Sequence, residues 1–144
     1  STGTFLSSKG DPVLEAIEAR IAAWAQVPVE NGEAFYLLRY EEGQQYKPHY
    51  DFFDPNLPGM DHFIGKAGNR IATVLIYLNA PDEGGATVFP KAEIMVPAER
   101  LTAVLFWSMT PETELDWESL HGGMPVVSGV KMAMTKWMRI NQWG

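Results

Sequence analysis

Cysteine is absent from the 144 residues, which removes disulfides, thiolate metal sites and cysteine nucleophiles together. Any metal this chain holds must therefore sit on His, Asp or Glu. Long apolar runs are absent too. Stretches such as Ile71–Leu78 fall far short of the ~20 residues a membrane-spanning helix needs. The first residues, Ser1-Thr2-Gly3-Thr4, carry neither the basic region nor the apolar stretch of a secretory signal. No Met begins the chain, so a processed form or an excised fragment is expected. Basic residues are scarce, at 11 Lys+Arg against 18 Asp+Glu, leaving a formal charge of −7. Their one tight grouping, Lys131, Lys136 and Arg139, is too thin for a phosphate-binding face, and no nucleic-acid partner is expected. The acidic balance can steer a cationic peptide or simply serve solubility. The missing cysteines and signal lean towards the cytoplasm, with the endoplasmic reticulum lumen as the alternative.

What is present is ordinary globular composition, 46% hydrophobic and 20% charged, at a length that suits one domain. One helix is well signalled. Asp11 can cap it and Pro12 fits its first position. Val13, Ile17, Ile21 and Trp24 then form a 3.6-residue stripe that ends near Gln26. Everything after it reads as strand: Glu33–Tyr40, Gln45–Asp51, Arg70–Asn79, Ala86–Phe89, Glu93–Val96, Leu101–Ser108 and Val130–Arg139, with short pieces near Leu120 and Val126. Turn chemistry at Glu41–Gly43, Pro81–Gly85, Pro97–Arg100, Gly122-Gly123 and Ser128-Gly129 separates them. Arg70–Asn79 is apolar on both faces, so a central, covered strand is expected. One helix followed by many short strands predicts a mainly β fold, a sandwich or jelly roll with the helix packed outside. Phe52–Asn69 has no clear periodicity and reads as a long loop.

The three histidines are His49, His62 and His121. In an extended segment residues i and i+2 share a face, so His49 and Asp51 project side by side. His121, before a Gly-Gly turn, can supply a third ligand. Two imidazoles and one carboxylate form the facial triad of non-haem Fe(II) oxygenases, although zinc hydrolases use a similar set. Lys131 follows His121 by ten residues, past a glycine turn. If a hairpin joins the two, both enter one cavity, where a buried ammonium needs an anion. A dicarboxylate chelating the metal would place its far carboxylate there. A lysine on an edge strand is the plain alternative. His62 reads as a solvated loop residue.

The segments Leu38–Asp51, Gly84–Pro90 and Ser119–Val126, followed by Gly129-Val130-Lys131 and Thr135–Arg139, resemble the prolyl 4-hydroxylase family of Fe(II)/2-oxoglutarate-dependent dioxygenases. The resemblance covers essentially the whole chain, which then begins inside the family's catalytic domain and lacks its N-terminal part. It implies a double-stranded β-helix, a jelly roll with one or more supporting N-terminal helices. It implies His49, Asp51 and His121 as iron ligands and Lys131 as the partner of the distal carboxylate of 2-oxoglutarate. Tyr40 and Thr87 match co-substrate contacts, and Tyr46, Arg70 and Trp137 match peptide contacts. Phe52–Asn69 would be a mobile flap, with Gly59, Gly65 and Gly68 as its pivots. Ala86, Met124 and Met132 depart from frequent family residues without touching the triad, and leave substrate preference open. The implied activity is 4-hydroxylation of proline in peptides with O2 and 2-oxoglutarate as co-substrates, giving succinate and CO2, with ascorbate as reductant. An oxygenase acting on a free amino acid or another side chain, and a non-catalytic jelly-roll binding module, are the alternatives.

Overall fold

A computed structural model describes residues 1–144. In chain order the elements are β1 (Thr2–Leu6), α1 (Pro12–Ala25), β2 (Phe35–Tyr40), β3 (Tyr46–His49), α2 (Met60–Ile64), β4 (Arg70–Tyr77), β5 (Glu83–Gly84), β6 (Thr87–Phe89), β7 (Ile94–Val96), β8 (Ala103–Trp107), β9 (His121–Gly123), β10 (Val126–Ser128) and β11 (Lys131–Arg139). A five-stranded antiparallel sheet runs β1-β2-β11-β4-β8, and a four-stranded one runs β3-β9-β6-β7. A two-stranded ribbon pairs β10 with β5. The mainly β, jelly-roll expectation holds. No helix is long and apolar enough to cross a membrane.

Helix α1 forms where the sequence places it. The Asp11 carboxylate accepts from the amides of Val13 and Leu14, satisfying two otherwise orphaned donors, and Pro12 needs none. Gln26 ends the helix in the left-handed conformation. Its inner stripe, Ile21 and Ala25, packs on Phe35, Ala72, Val74, Met134 and Met138 from one face of the large sheet. Because strand side chains alternate, the opposite face of the same strands is left for the site. The register aligns Tyr40 with Lys131, Leu38 with Ala133 and Tyr36 with Thr135, then Trp137 with Thr73 and Thr135 with Leu75. These residues form one inward-facing row.

The basic grouping of the last strand is no surface patch. Lys131 points inwards, Lys136 ion-pairs with Glu18 of α1 on the helix side, and Arg139 is bound to Glu33. Glu33, buried at 5% exposure, accepts from Arg139 Nε at 2.7 Å and from Arg70 Nε and Nη2 at 2.8 and 3.1 Å. Removing one partner of such a group leaves uncompensated buried charge, at about 3–5 kcal/mol. Glu33→Ala is therefore expected to lower Tm by on the order of 10 °C, read by circular dichroism. A fall below about 2 °C would remove Glu33 from the scaffold's supports.

Two expectations change. Phe52–Asn69 is not an unstructured flap. It contains α2, and the Asn69 amide brackets Phe53 by accepting from its N–H and donating to its C=O. Arg139 Nη1 donates to the carbonyls of Phe63, Ile64 and Gly68. Both roots of the segment are thus tied to the large sheet. Helix α2 is five residues long with no side-chain cap, too short for periodicity to reveal. Strand β1 has no clear signal in the sequence; its pairing with β2 supplies what Thr2–Leu6 lacks in pattern.

Candidate active site

His49 ends β3 and His121 opens β9, and the two are aligned across the smaller sheet. This pairing is close: a Cβ at Gly122 would lie 2.8 Å from the Tyr46 carbonyl, so the glycine lets the backbones meet. Asp51 is the second residue past the end of β3. His49 Nε2 and His121 Nε2 each lie 3.3 Å from Asp51 Oδ1, and the three ligand atoms fall within 4.8 Å of one another. His62 lies exposed on α2, outside this cluster.

The surroundings settle how these groups are presented. His49 Nδ1 and His121 Nδ1 each lie 2.8 Å from a backbone carbonyl, of Lys47 and Ser119. A carbonyl only accepts, so each Nδ1 carries the proton and each Nε2 lone pair faces Asp51. Asp51 Oδ2 accepts from Thr73 Oγ1 at 2.7 Å and Trp137 Nε1 at 3.2 Å, which leaves Oδ1 free. Two lone pairs and a carboxylate oxygen thus converge with no proton of their own between them. That arrangement calls for a cation, and the N2O donor set suits Fe(II).

The cluster opens into a cleft shared with Tyr40, Tyr46, Thr87, Phe106, Lys131 and Trp137. Lys131 is 3% exposed. Its Nζ donates to the Gly85 carbonyl at 2.8 Å and lies 4.6 and 5.7 Å from the ring centroids of Tyr40 and Tyr77. No carboxylate forms an ion pair with it, whereas buried Lys136 and Arg139 each have one. Burial pushes its pKa down to about 8. Burial raises the Tyr40 and Tyr77 phenols, so both stay neutral beside it. The Tyr77 hydroxyl is hydrogen-bonded to Thr87 Oγ1.

Lys131 reaches the cleft by a different route from the one its spacing suggested. No hairpin joins it to His121: β9 belongs to the small sheet and β11 to the large one, with β10 leaving to pair with β5. The two residues face each other from opposite sheets. Arg70 does not line the cleft. Its guanidinium is committed to Glu33 and stacks on Trp137 at 3.9 Å and Phe53 at 4.8 Å. Tyr36, Thr73, Tyr77 and Thr135 join the site without a signature in the local sequence. The signal that finds them is the two-residue alternation through Tyr40 and Lys131, once the register is known.

The model of the 2OG-Fe(II) oxygenase superfamily matches residues 35–139. The chain belongs to this superfamily. Among its members it is 42% identical to probable prolyl 4-hydroxylase 8 and 43% identical to prolyl 4-hydroxylase 5, both of Arabidopsis thaliana, over 99% of its length. It spans about half, 54%, of the length of these curated relatives. Among solved structures, a viral collagen prolyl hydroxylase from Paramecium Bursaria Chlorella virus-1, in complex with 2OG, superposes with a TM-score of 0.81 at 31% identity. That match covers 96% of this chain and 79% of the viral one, so the family membership extends to the prolyl hydroxylases.

Proposed function

We propose that the chain is the catalytic part of a prolyl 4-hydroxylase that takes proline in peptides or proteins to 4-hydroxyproline, using O2 and 2-oxoglutarate. One observation carries this reading beyond family membership: a buried ammonium without a carboxylate shares a cleft with a proton-free His-Asp-His cluster. Such a pair suits a ligand that is a metal chelator at one end and a carboxylate at the other.

His49 Nε2, Asp51 Oδ1 and His121 Nε2 would hold Fe(II), which when bound supplies the O2 chemistry, with 2-oxoglutarate as the electron source and succinate and CO2 as its products. Thr73 and Trp137 fix the Asp51 carboxylate so that one oxygen serves as ligand. Lys131 neutralises the distal carboxylate of the co-substrate, with Tyr40 and Thr87 beside it. Leu38, Leu75 and Phe106 give the cleft apolar walls, which limit water and strengthen the ion pair. Ascorbate would serve as the reductant.

Proline-rich peptides already favour polyproline II geometry and dock on aromatic surfaces with little ordering cost. Tyr46, 41% exposed and lining the cleft, offers such a surface, which favours a peptide over a free amino acid. The test is mass spectrometry of proline-containing peptides after incubation with Fe(II), 2-oxoglutarate and ascorbate. A gain of one oxygen on proline, absent without 2-oxoglutarate, is expected. Oxygen on another residue, or on free amino acids alone, would contradict the reading.

A further inference from the structure

Phe5 is the one residue of β1 whose large apolar ring lies on the cleft-facing side of the large sheet, and it stays exposed there. Its register partner is Tyr36, which lines the cleft, and directly paired residues share a face. The two ring centroids are 4.6 Å apart. Tyr36 in turn stacks on Trp137, at 5.5 Å and 28° between planes, and Trp137 donates to Asp51. An aromatic strip therefore runs from the carboxylate of the proposed metal site out to the edge strand, where Phe5 remains 61% exposed. Scattered exposed apolar residues are ordinary. An exposed ring at the end of a stack whose other end lies inside a cleft is a continuous surface.

Gly3 makes the strip possible. A Cβ at that position would fall 2.2 Å from the Tyr36 hydroxyl oxygen, so the phenol lies across β1 because position 3 has no side chain. The dimensions also fit a peptide. Steps of 5.5 and 4.6 Å carry the strip at most ~10 Å beyond Trp137, and one polyproline II turn advances roughly 9 Å over three residues.

We infer that Phe5 and Tyr36 form a remote subsite for the peptide substrate, holding a proline or other apolar residue about one polyproline II turn from the residue that reacts. This rests on the proposed function, since it deepens the use of the same cleft. Proline rings stack on aromatic faces and gain further contact with each ring added, so the subsite makes affinity depend on peptide length.

Equilibrium binding of fluorescent proline-rich peptides of increasing length, with Mn(II) and 2-oxoglutarate present and turnover measured in parallel, tests this. For the wild-type chain, Kd should fall once the peptide extends at least three residues past the reacting proline on one side. Phe5→Ala should raise Kd for the long peptides about three- to tenfold and flatten the length dependence. Gly3→Ala, which displaces the end of the flexible Tyr36 side chain, should do the same while Tm stays within a few degrees. Val13→Ser, on the exposed side of α1, should behave as wild type. Wild-type length dependence in both Phe5→Ala and Gly3→Ala would overturn the subsite. Loss of length dependence in a protein that hydroxylates no proline would uphold the subsite and refute the proposed reaction. Absence of peptide binding by the wild type would refute both.

Discussion

Replacing Lys131 with Met is expected to raise the stability of the ligand-free protein while lowering its affinity for 2-oxoglutarate at least a hundredfold. Both effects come from one buried charge. The Lys131 ammonium has left water for a site where it keeps a carbonyl and two aromatic faces but gains no counter-ion. Its pKa falls from 10.5 to about 8 through burial, a depression that corresponds to about 3 kcal/mol of destabilisation at neutral pH. Met fills a similar volume without the charge, so Tm of Lys131→Met should exceed that of wild type at pH 7. The sign follows from proton binding. Between pH about 8 and 10.5 the unfolded chain keeps this proton and the folded one does not. The wild type therefore recovers stability with rising pH in that window, and the advantage of the variant shrinks. In the complex the situation reverses, because a buried carboxylate without its ammonium costs about 3–5 kcal/mol, and ~1.4 kcal/mol is tenfold in affinity. Wild-type affinity for 2-oxoglutarate should itself weaken above pH 8, as the free ammonium loses its proton. Isothermal titration calorimetry and thermal melts across pH read all of this. A change in 2-oxoglutarate affinity below threefold would refute the anchor role.

Asp51→Asn should leave the metal-free fold intact and abolish both Fe(II) binding and turnover. The amide oxygen can keep the hydrogen bonds from Thr73 and Trp137, which now go to Asp51 Oδ2. The amide N–H2 then faces the Nε2 lone pairs of His49 and His121, where it can donate. A free carboxylate charge is lost from a buried position, so nothing in the metal-free protein is left unsatisfied. The metal loses an anionic ligand. Changing a group that merely orients a ligand typically costs about 10–100-fold in metal affinity, so losing the ligand itself should cost more than ~100-fold. Anaerobic melts with and without Fe(II), or with Mn(II), separate the effects. Wild-type Tm should rise with metal by mass action, and the Asn variant should melt at the wild-type metal-free temperature in both conditions. A metal-dependent rise of wild-type size in the variant would show that Asp51 is not a ligand.

Much of this site is local in the sequence, which is why it could be read there. His49 and Asp51 share a face because strand alternation puts i and i+2 together, and the chain delivers that. The Asp11-Pro12 start of α1 depends on neighbouring atoms alone. Other features depend on which strands meet. Lys131 and His121 converge although no hairpin joins them, because the chain changes sheets between them; spacing carries no record of that. Arg70 finds Glu33, 37 residues away, a partner without any local signature. Thr73 and Tyr77 lie in a strand that is apolar on both faces, so the cleft-facing side appears only with the register to β11. The tethering of Phe52–Asn69 rests on Arg139, 71 residues beyond Gly68. Gly59, Gly65 and Gly68 suggested freedom that these distant contacts take away at the roots.

In the proposed complex one small molecule bridges the His-Asp-His cluster and Lys131. Anaerobic addition of Fe(II) and then 2-oxoglutarate, followed by visible absorption, asks about cluster, co-substrate and ammonium at once. A weak charge-transfer band should develop when both are present, with neither alone, and should require far more 2-oxoglutarate in Lys131→Met. If Fe(II) binds but no band forms at saturating 2-oxoglutarate, or if Lys131→Met saturates at the wild-type concentration, the proposed bridge does not exist.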